Sequence, residues 1–385
     1  MTTMATPGTR RLLNAEPADH LPRLSLTQLL ELVEGAGLTG RGGAGFPTAV
    51  KVRAVAEGRR RPVLVGNAKE GEPLSKKDAV LLDRVPHLVV EGLTVVGRAI
   101  GAARLVLALG PDVHPVRAEE AAHGRGVEVV PLMGGFVAGQ ESALVNQLGG
   151  RPAVPSDPLV RVTTRGLDGR PTLVLNAETL AQVALLVRYG VAWFREVGTA
   201  EDPGTSLFSI SGAVDHPGVV EAPRGTPLSA VLSPAAPQDP VAVLVGGYHG
   251  AWLAGWALDT PLTGSALQEH GATVGAGVLH VLGRGSCPLR VAADIAGYLA
   301  AESAQQCGPC VNGLPRMADG LRRLARRVPD PGLPAKIDRM RMLVTGRGAC
   351  AHPDGTARMV ASTMRVFAPH VEHHLAGRCG LGDAR

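Results

Sequence analysis

Gly37-Leu38-Thr39-Gly40-Arg41-Gly42-Gly43-Ala44-Gly45-Phe46-Pro47-Thr48-Ala49-Val50-Lys51 is the stretch that decides how this chain is read. Gly40, Gly42, Gly43 and Gly45 fall within six residues, with Arg41 among them and Lys51 just beyond. Glycine loses the most backbone entropy on folding, so four together imply that something approaches the main chain closely. Such a loop leaves a run of N–H groups, a nest suited to phosphate or to the edge of a flavin or nucleotide. No Gly-Lys-Ser/Thr follows, so it is not a Walker loop. No clear strand precedes Gly40-Arg41-Gly42, so it is not a good dinucleotide fingerprint either. Glycine alone would favour a flexible surface loop, but Phe46-Pro47-Thr48 stiffens this one.

Four more motifs follow in order: Asn67-Ala68-Lys69-Glu70-Gly71-Glu72-Pro73, then Pro86-His87-Leu88 with Glu91-Gly92, then Gly139-Gln140-Glu141-Ser142-Ala143-Leu144, then Asn176-Ala177-Glu178-Thr179-Leu180. With the glycine loop, the series resembles the NADH-oxidising flavoprotein subunit of respiratory complex I and the related subunits of NAD-linked hydrogenases and formate dehydrogenases. The resemblance covers nearly the whole chain from about residue 26, and dispersed motifs in order are far more specific than one glycine loop. It implies bound FMN and an iron–sulfur cluster, with NAD(H) as the family's electron donor.

Composition sets bounds. Of 385 residues, 45% are hydrophobic but only 3% aromatic, so two or three cores must be built mostly from Val, Leu and Ala. The net charge of +5 is mildly basic, and with so few aromatic faces beside the arginines it does not point to nucleic acid. A basic face of this kind suits an acidic electron carrier. Residues 1–24 are polar and Pro-dotted without an apolar core, unlike a signal peptide, and no run reaches transmembrane length. The expectation is a cytoplasmic protein that attaches to the inner face of a membrane through a partner. Five cysteines, an odd count without an export signal, favour metal or redox use over a disulfide framework.

The order of elements predicts an α/β fold. Ser25 and Gln28 form a capping box opening a helix that stops at Gly35. Short apolar strands are expected at 62–66, 104–109, 127–132 and 172–175, alternating with helices at 89–103, 140–148 and 178–197. The resemblance makes this a Rossmann-like flavin domain. After Asp202-Pro203-Gly204 the pattern turns β-rich, with strands at 206–212, 219–221, 241–245 and 278–282. This part resembles a small ubiquitin-like β-grasp (SLBB-type) module. From 289 the chain is helical (289–306, 311–326, 333–344 and 354–375), a C-terminal helical bundle. The implied division is a flexible segment 1–24, an FMN-binding domain 25–202, the β-grasp module 203–284 and an iron–sulfur domain 285–385.

The resemblance assigns roles residue by residue. Gly40, Arg41, Gly42, Gly43, Gly45 and Phe46 form the flavin loop. Asn67 holds the ribityl chain or ring of FMN, Glu70 shares its loop, and Glu72 lies beside the nicotinamide. Lys69 stands where the family has aspartate; pointing inward, its charge would stabilise the reduced flavin and raise its potential, and pointing outward it would do nothing. Gln140 replaces the first acid of the family's Gly-Glu-Glu, leaving Glu141, and one lost acid weakens discrimination against a 2′-phosphate. Asn176 matches the second of two family asparagines, and Leu175 replaces the first. Phe46 and Lys51 flank the dinucleotide, but Val52-Arg53-Ala54 replaces the aromatics that stack on adenine, which weakens the expectation of NADH.

Cys307-Gly308-Pro309-Cys310, after Glu302-Ser303, resembles the family's Glu-Ser-Cys-x-x-Cys-x-x-Cys cluster motif, with Ala304 at the first cysteine position. Cys350 matches the distant fourth ligand. Three thiolates leave a 4Fe–4S cluster one ligand short, so either His352, Cys379 or an exogenous donor completes it, or a 3Fe–4S cluster forms. Cys307, Cys310, Cys350 and His352 would also make a Cys3His zinc site. Cys287 is expected in the core.

The expected function is an FMN and iron–sulfur oxidoreductase passing electrons from a two-electron donor, NAD(P)H or another, to a one-electron carrier, either ferredoxin-like or quinone-linked and membrane-bound. One alternative is a flavoprotein that exchanges electrons only with a protein partner. The other is a non-enzymatic docking subunit with zinc at the cysteines and an empty flavin cleft.

Overall fold

The structure, a computed structural model, describes residues 3–4, 11–18, 20–58, 60–156 and 159–379. The chain forms two units. The first is Met1–Ser209 with Gly218–Thr226 and Gly275–Gly277; the second is Ile210–Pro217, Pro227–Val274 and Val278–Arg385.

In the first unit four parallel strands form one sheet in the order Val127–Pro131, Arg104–Leu109, Val63–Ala68, Thr172–Asn176. Val63, Leu64 and Val65 are fully buried, as expected of a parallel strand covered on both faces. The chain lays down three strands in one direction and then returns to place Thr172–Asn176 on the other side of Val63–Ala68. This reversal opens a crevice at the carboxyl ends of the two strands, where Asn67 and Asn176 stand in register. Behind the sheet, helix Pro86–Ala99 meets helix Ala177–Arg195 at backbone distance, since a Cβ on Gly92 would sit 2.0 Å from the Leu180 carbonyl oxygen.

The capping box of Ser25 and Gln28 opens helix Leu26–Ala36 as read, but the helix ends at Gly37 (φ +65°), two residues beyond the expected stop. Helix Ala177–Arg195 bends at Gly190, whose φ of +81° only glycine adopts without strain. Residues 11–13 are not the flexible lead-in expected of 1–24. The buried Glu221 carboxylate accepts the N–H groups of Arg11 (3.0 Å), Leu12 (2.9 Å) and Leu13 (3.2 Å), and Leu12 is fully buried. Glu91 pairs with Arg188 and takes the N–H of Ala18, so that motif residue holds the structure together.

In the second unit strand Val278–Gly283 pairs antiparallel with Pro240–Val245, which pairs antiparallel with Ala251–Ala254. Trp252, on the last of these, is fully buried edge-on to Phe367, with centroids 5.4 Å apart. The longer helices of this unit are Pro288–Ala301, Leu314–Ala325, Leu333–Val344, His352–Val366 and Ala368–Leu375. The single last helix expected over 354–375 is two, broken at Phe367 (φ −105°, ψ 26°) because Pro369 cannot continue the hydrogen-bond ladder. The first helix likewise stops at Ala301, short of the expected 306, and Gln305 adopts a positive φ of 55° in the turn before the cysteines.

Candidate functional site

The glycine loop is clasped at its base and open at its tip. Gly40 N–H donates to Phe46 O (2.9 Å), Thr48 N–H to Leu38 O (3.0 Å), and Arg41 N–H to Thr179 Oγ1 (2.9 Å). Among the described residues no hydrogen bond of ordinary geometry runs from the N–H groups of 42–46, and residues 41–44 form a turn. Gly43 (φ +119°) and Gly45 (φ +61°) turn the main chain, and no atom lies within 4 Å of where a Cβ on Gly45 would sit. The loop packs over the crevice, since a Cβ on Gly42 would lie 3.2 Å from Asn176 Cβ. Arg41 points inward. Its guanidinium donates to Thr39 Oγ1 and Pro203 O, and its Nε is buried without an acceptor. Burial, with Arg224 alongside, lowers its pKa, while Glu178 and Asp202 partly offset this. Main-chain amides in an open glycine turn and a buried guanidinium N–H without an acceptor are what a nest for an anionic or carbonyl-edged ligand requires, so the residues present fit FMN.

Beneath the loop lies a buried polar network. Asn67 Nδ2 donates to Gly139 O (3.1 Å), and Asn67 Oδ1 accepts from Lys69 N–H (3.0 Å). Lys69 points inward: it is 4% exposed, with its ammonium 2.9 Å from Gly134 O. Asn176 caps helix Ala177–Arg195 through the N–H of Glu178, and its Nδ2 donates to Asp78 Oδ2 (2.6 Å) and Asn67 O (3.2 Å). Lys77 Nζ reaches Asp78 Oδ1 (2.8 Å), Glu178 Oε2 (3.0 Å) and Asn176 Oδ1 (3.1 Å). Burial alone would lower the Lys77 pKa, but Asp78, Glu178 and Glu70 together raise it above its ordinary value. Glu70 accepts from the Ser75 hydroxyl and from Ala79 N–H (3.2 Å). Burial first, then Asp78, pushes its carboxyl up to about 7.

At the edge of the crevice Lys51 Nζ pairs with Glu141 Oε2 (3.1 Å), and Glu141 Oε1 has no partner. Gln140 caps helix Glu141–Leu148, accepting from the N–H groups of Ser142 (2.8 Å) and Ala143 (3.0 Å). Its uncharged amide therefore does a capping acid's structural work. Phe46 is exposed, whereas Val52 is fully buried and presents no stacking face.

The cysteines come together in part. A π-turn over Pro309–Gly313 follows Cys307-Gly308 and places Cys310 Sγ 3.5 Å from Cys307 Sγ. Cys350 is close enough to feel Cys307 electrostatically, and its thiol is held up mainly by burial. The backbone N–H of His352 points at Cys350 and works the other way. The ring of His352 has other duties: Nε2 lies 2.7 Å from Leu299 O and Nδ1 lies 3.0 Å from His249 Nε2. His352 thus serves Cys350 through its amide, while packing commits its imidazole elsewhere. Three soft thiols are the donor type an iron–sulfur cluster takes. Cys287 is not a core residue. It is half-buried at the start of helix Pro288–Ala301, beside His374 and Cys379.

Lys77, Asp78, Ser75 and Glu178 were not singled out from the sequence. Glu178 lies inside a quoted motif and Lys77-Asp78 just after another, but only folding makes them one cluster.

Residues 33–185 match the family of the Nuo51 FMN-binding domain, and residues 290–374 match the NADH-ubiquinone oxidoreductase-F iron-sulfur binding region. An F-type component of the NADH-quinone oxidoreductase of Rhizobium meliloti is 30% identical over 405 residues, covering 98% of this chain and 95% of the relative. The NADP-reducing hydrogenase subunit HndC of Solidesulfovibrio fructosivorans is 29% identical over 378 residues, covering 90% and 76%. Among solved structures, an air-oxidized NAD+-reducing NiFe hydrogenase superposes with a TM-score of 0.84 at 32% identity. The match covers 91% of this chain, which spans only 63% of the hydrogenase chain.

Proposed function

We propose, for a chain that belongs to the family of the NADH-quinone oxidoreductase F subunit, that it is a flavin and iron–sulfur oxidoreductase linking a two-electron donor to a one-electron carrier. This reading rests above all on the open glycine turn of residues 42–46, packed over Asn176 at the switch point of a parallel sheet. When bound, FMN supplies the exchange between a hydride and single electrons, which an iron–sulfur cluster stores.

The chain's own residues bind, orient and set charge. The amides of 42–46 and Arg41 Nε hold the anionic and carbonyl edges of FMN. Asn67 and Asn176, each fixed by protein partners, form the floor. Lys69 places a buried positive charge beside Asn67 and favours a reduced, negatively charged ligand. Lys51 and Glu141 stand where a nicotinamide nucleotide would enter, with Phe46 as its apolar neighbour and Glu72 on the adjoining loop. Val52 offers no adenine stacking, so NADH is expected to bind weakly. Cys307, Cys310 and Cys350 hold the cluster.

Several relatives are subunits by name, and we extend the proposal to a partner, a ferredoxin-like or membrane-bound electron-transfer protein. Among the described residues no helix is long and apolar enough to cross a membrane. A cytoplasmic place at the inner membrane face through that partner belongs to the same proposal. So does the division into an FMN domain over 25–202, a β-grasp module over 203–284 and an iron–sulfur domain over 285–385.

The test is anaerobic purification followed by a visible spectrum, flavin extraction and metal analysis. Stoichiometric FMN with iron and acid-labile sulfide is expected, and flavin should be lost in Gly43→Val. In stopped flow, NADH should bleach the flavin slowly and without saturating at micromolar concentration. A colourless protein whose only bound metal is zinc that disappears in Cys307→Ser would overturn the reading and leave the docking alternative.

A further inference from the structure

Cys287, His374 and Cys379 bring their ligand atoms within 4.8 Å of one another, and none of the three is among the flavin or cluster residues proposed above. Three elements converge to do so. Cys287 is the N-cap residue of helix Pro288–Ala301, and His374 lies in the last turn of helix Ala368–Leu375. Cys379 follows a turn at Gly377 (φ +74°) that is held by Arg378 N–H on His373 O (2.9 Å).

The orientation of His374 is the informative detail. It is 2% exposed, and its Nδ1 lies 3.0 Å from the carbonyl oxygen of Leu324. A carbonyl only accepts, so Nδ1 carries the proton and Nε2 presents its lone pair. That lone pair faces Cys287 Sγ at 3.6 Å. One ring nitrogen on a backbone carbonyl and the other facing a soft donor is how metal-bound histidines are held.

We propose that Cys287, His374 and Cys379 form a second metal site that takes a thiophilic divalent cation, zinc by preference, with its fourth position open to water. Two sulfurs and one imidazole suit zinc over the hard cations, which choose oxygen. Binding breaks two S–H bonds, releases two protons to solvent and forms two metal–thiolate bonds and one metal–nitrogen bond, with no change of oxidation state. Burial, with Cys379 nearby, raises the Cys287 thiol pKa above its ordinary value. The cation would tie the segment after helix Ala368–Leu375 to the start of helix Pro288–Ala301.

The full-length protein, stripped with chelator and titrated with cobalt(II), is expected to take up one equivalent with thiolate-to-cobalt charge-transfer absorption, and zinc should displace it. Cys379→Ser and His374→Gln should each weaken uptake at least about tenfold, with iron and flavin contents unchanged and circular dichroism reporting an intact fold. Cys307→Ser should keep the cobalt spectrum. Cys379 lies past the last helix, so that variant reads out binding even if His374→Gln fails to fold. No cobalt absorption in the wild type, absorption unchanged in Cys379→Ser, or a Cys287–Cys379 disulfide in anaerobically purified protein would overturn the proposal.

Discussion

Around Asn67 and Asn176 the polar side chains are held by other side chains: Lys77 sits between Asp78 and Glu178, and Asn176 bridges Asp78 to the Asn67 carbonyl. Around Cys307, Cys310 and Cys350 the support is slighter: the Cys307 and Cys310 sulfurs touch each other, and Cys350 meets the backbone N–H of His352, on segments between helices. In the crevice the protein has already met the cost of arranging charge, so a ligand enters a shape that exists without it. At the thiols the metal must complete the arrangement, because thiols bring little attraction of their own. Preorganisation in the first region and metal-dependent order in the second make opposite predictions.

The largest effect separating the two regions is expected from Lys77→Met. Removing the ammonium leaves Asp78 and Glu178 buried without their cation, which costs about 3–5 kcal/mol. Cys307→Ser in metal-free protein should cost less than ~1 kcal/mol. Urea denaturation of both metal-free variants checks this, and equal costs would break the contrast. The same network predicts a pH dependence. The folded-state pKa of Glu70, about 7, lies above its ordinary value of 4.5, so the folded chain keeps a proton that the unfolded chain releases. Stability should therefore fall as pH rises from about 4.5 to about 7 and level off above. Glu70→Gln should flatten that slope.

His352→Phe should cost roughly 1–3 kcal/mol, because His249 and the Leu299 carbonyl each lose a buried partner, while iron content is unchanged. Iron loss in this variant would give the ring a ligand role after all. Next comes the Gly43 position, where valine at φ +119° should cost on the order of 1–3 kcal/mol yet remove the flavin entirely. Extracted FMN per folded chain measures this, and retained flavin would move the nest elsewhere. The smallest effect is expected at Gln140→Ala, about 1 kcal/mol from a lost helix cap. Gln140→Glu should restore the cap and slow NADPH relative to NADH; no change in that ratio would confine Gln140 to capping.

What could be read in advance follows a physical pattern. Three of the four parallel strands were legible because burial on both faces writes them as apolar runs, while Val127–Pro131 at the sheet edge, interrupted by the exposed Glu128, stays only half-buried. Strand Ala251–Ala254 was not: four residues are too few to show a period, and its burial depends on a helix that covers Trp252 through Ser362. The break at Phe367 was marked by Pro369 but lost inside a strongly periodic stretch. The glycine loop and the asparagines were legible as motifs. The inward turn of Lys69 was not, since a lysine faces water unless a specific carbonyl, here that of Gly134, meets it inside.

The order of residues by itself determined the alternation of strands and helices, the glycine-rich nest, the two asparagines and the three thiols, because each is carried by local periodicity or short spacing. Only the tertiary structure decided the rest. It buried Lys77 among carboxylates, turned Lys69 inward, committed the His352 ring to His249 and Leu299, and brought Cys287 to His374 and Cys379. The reason is common to all four: the fate of a polar side chain depends on partners that packing brings from elsewhere in the chain, and local sequence carries no record of which partner arrives.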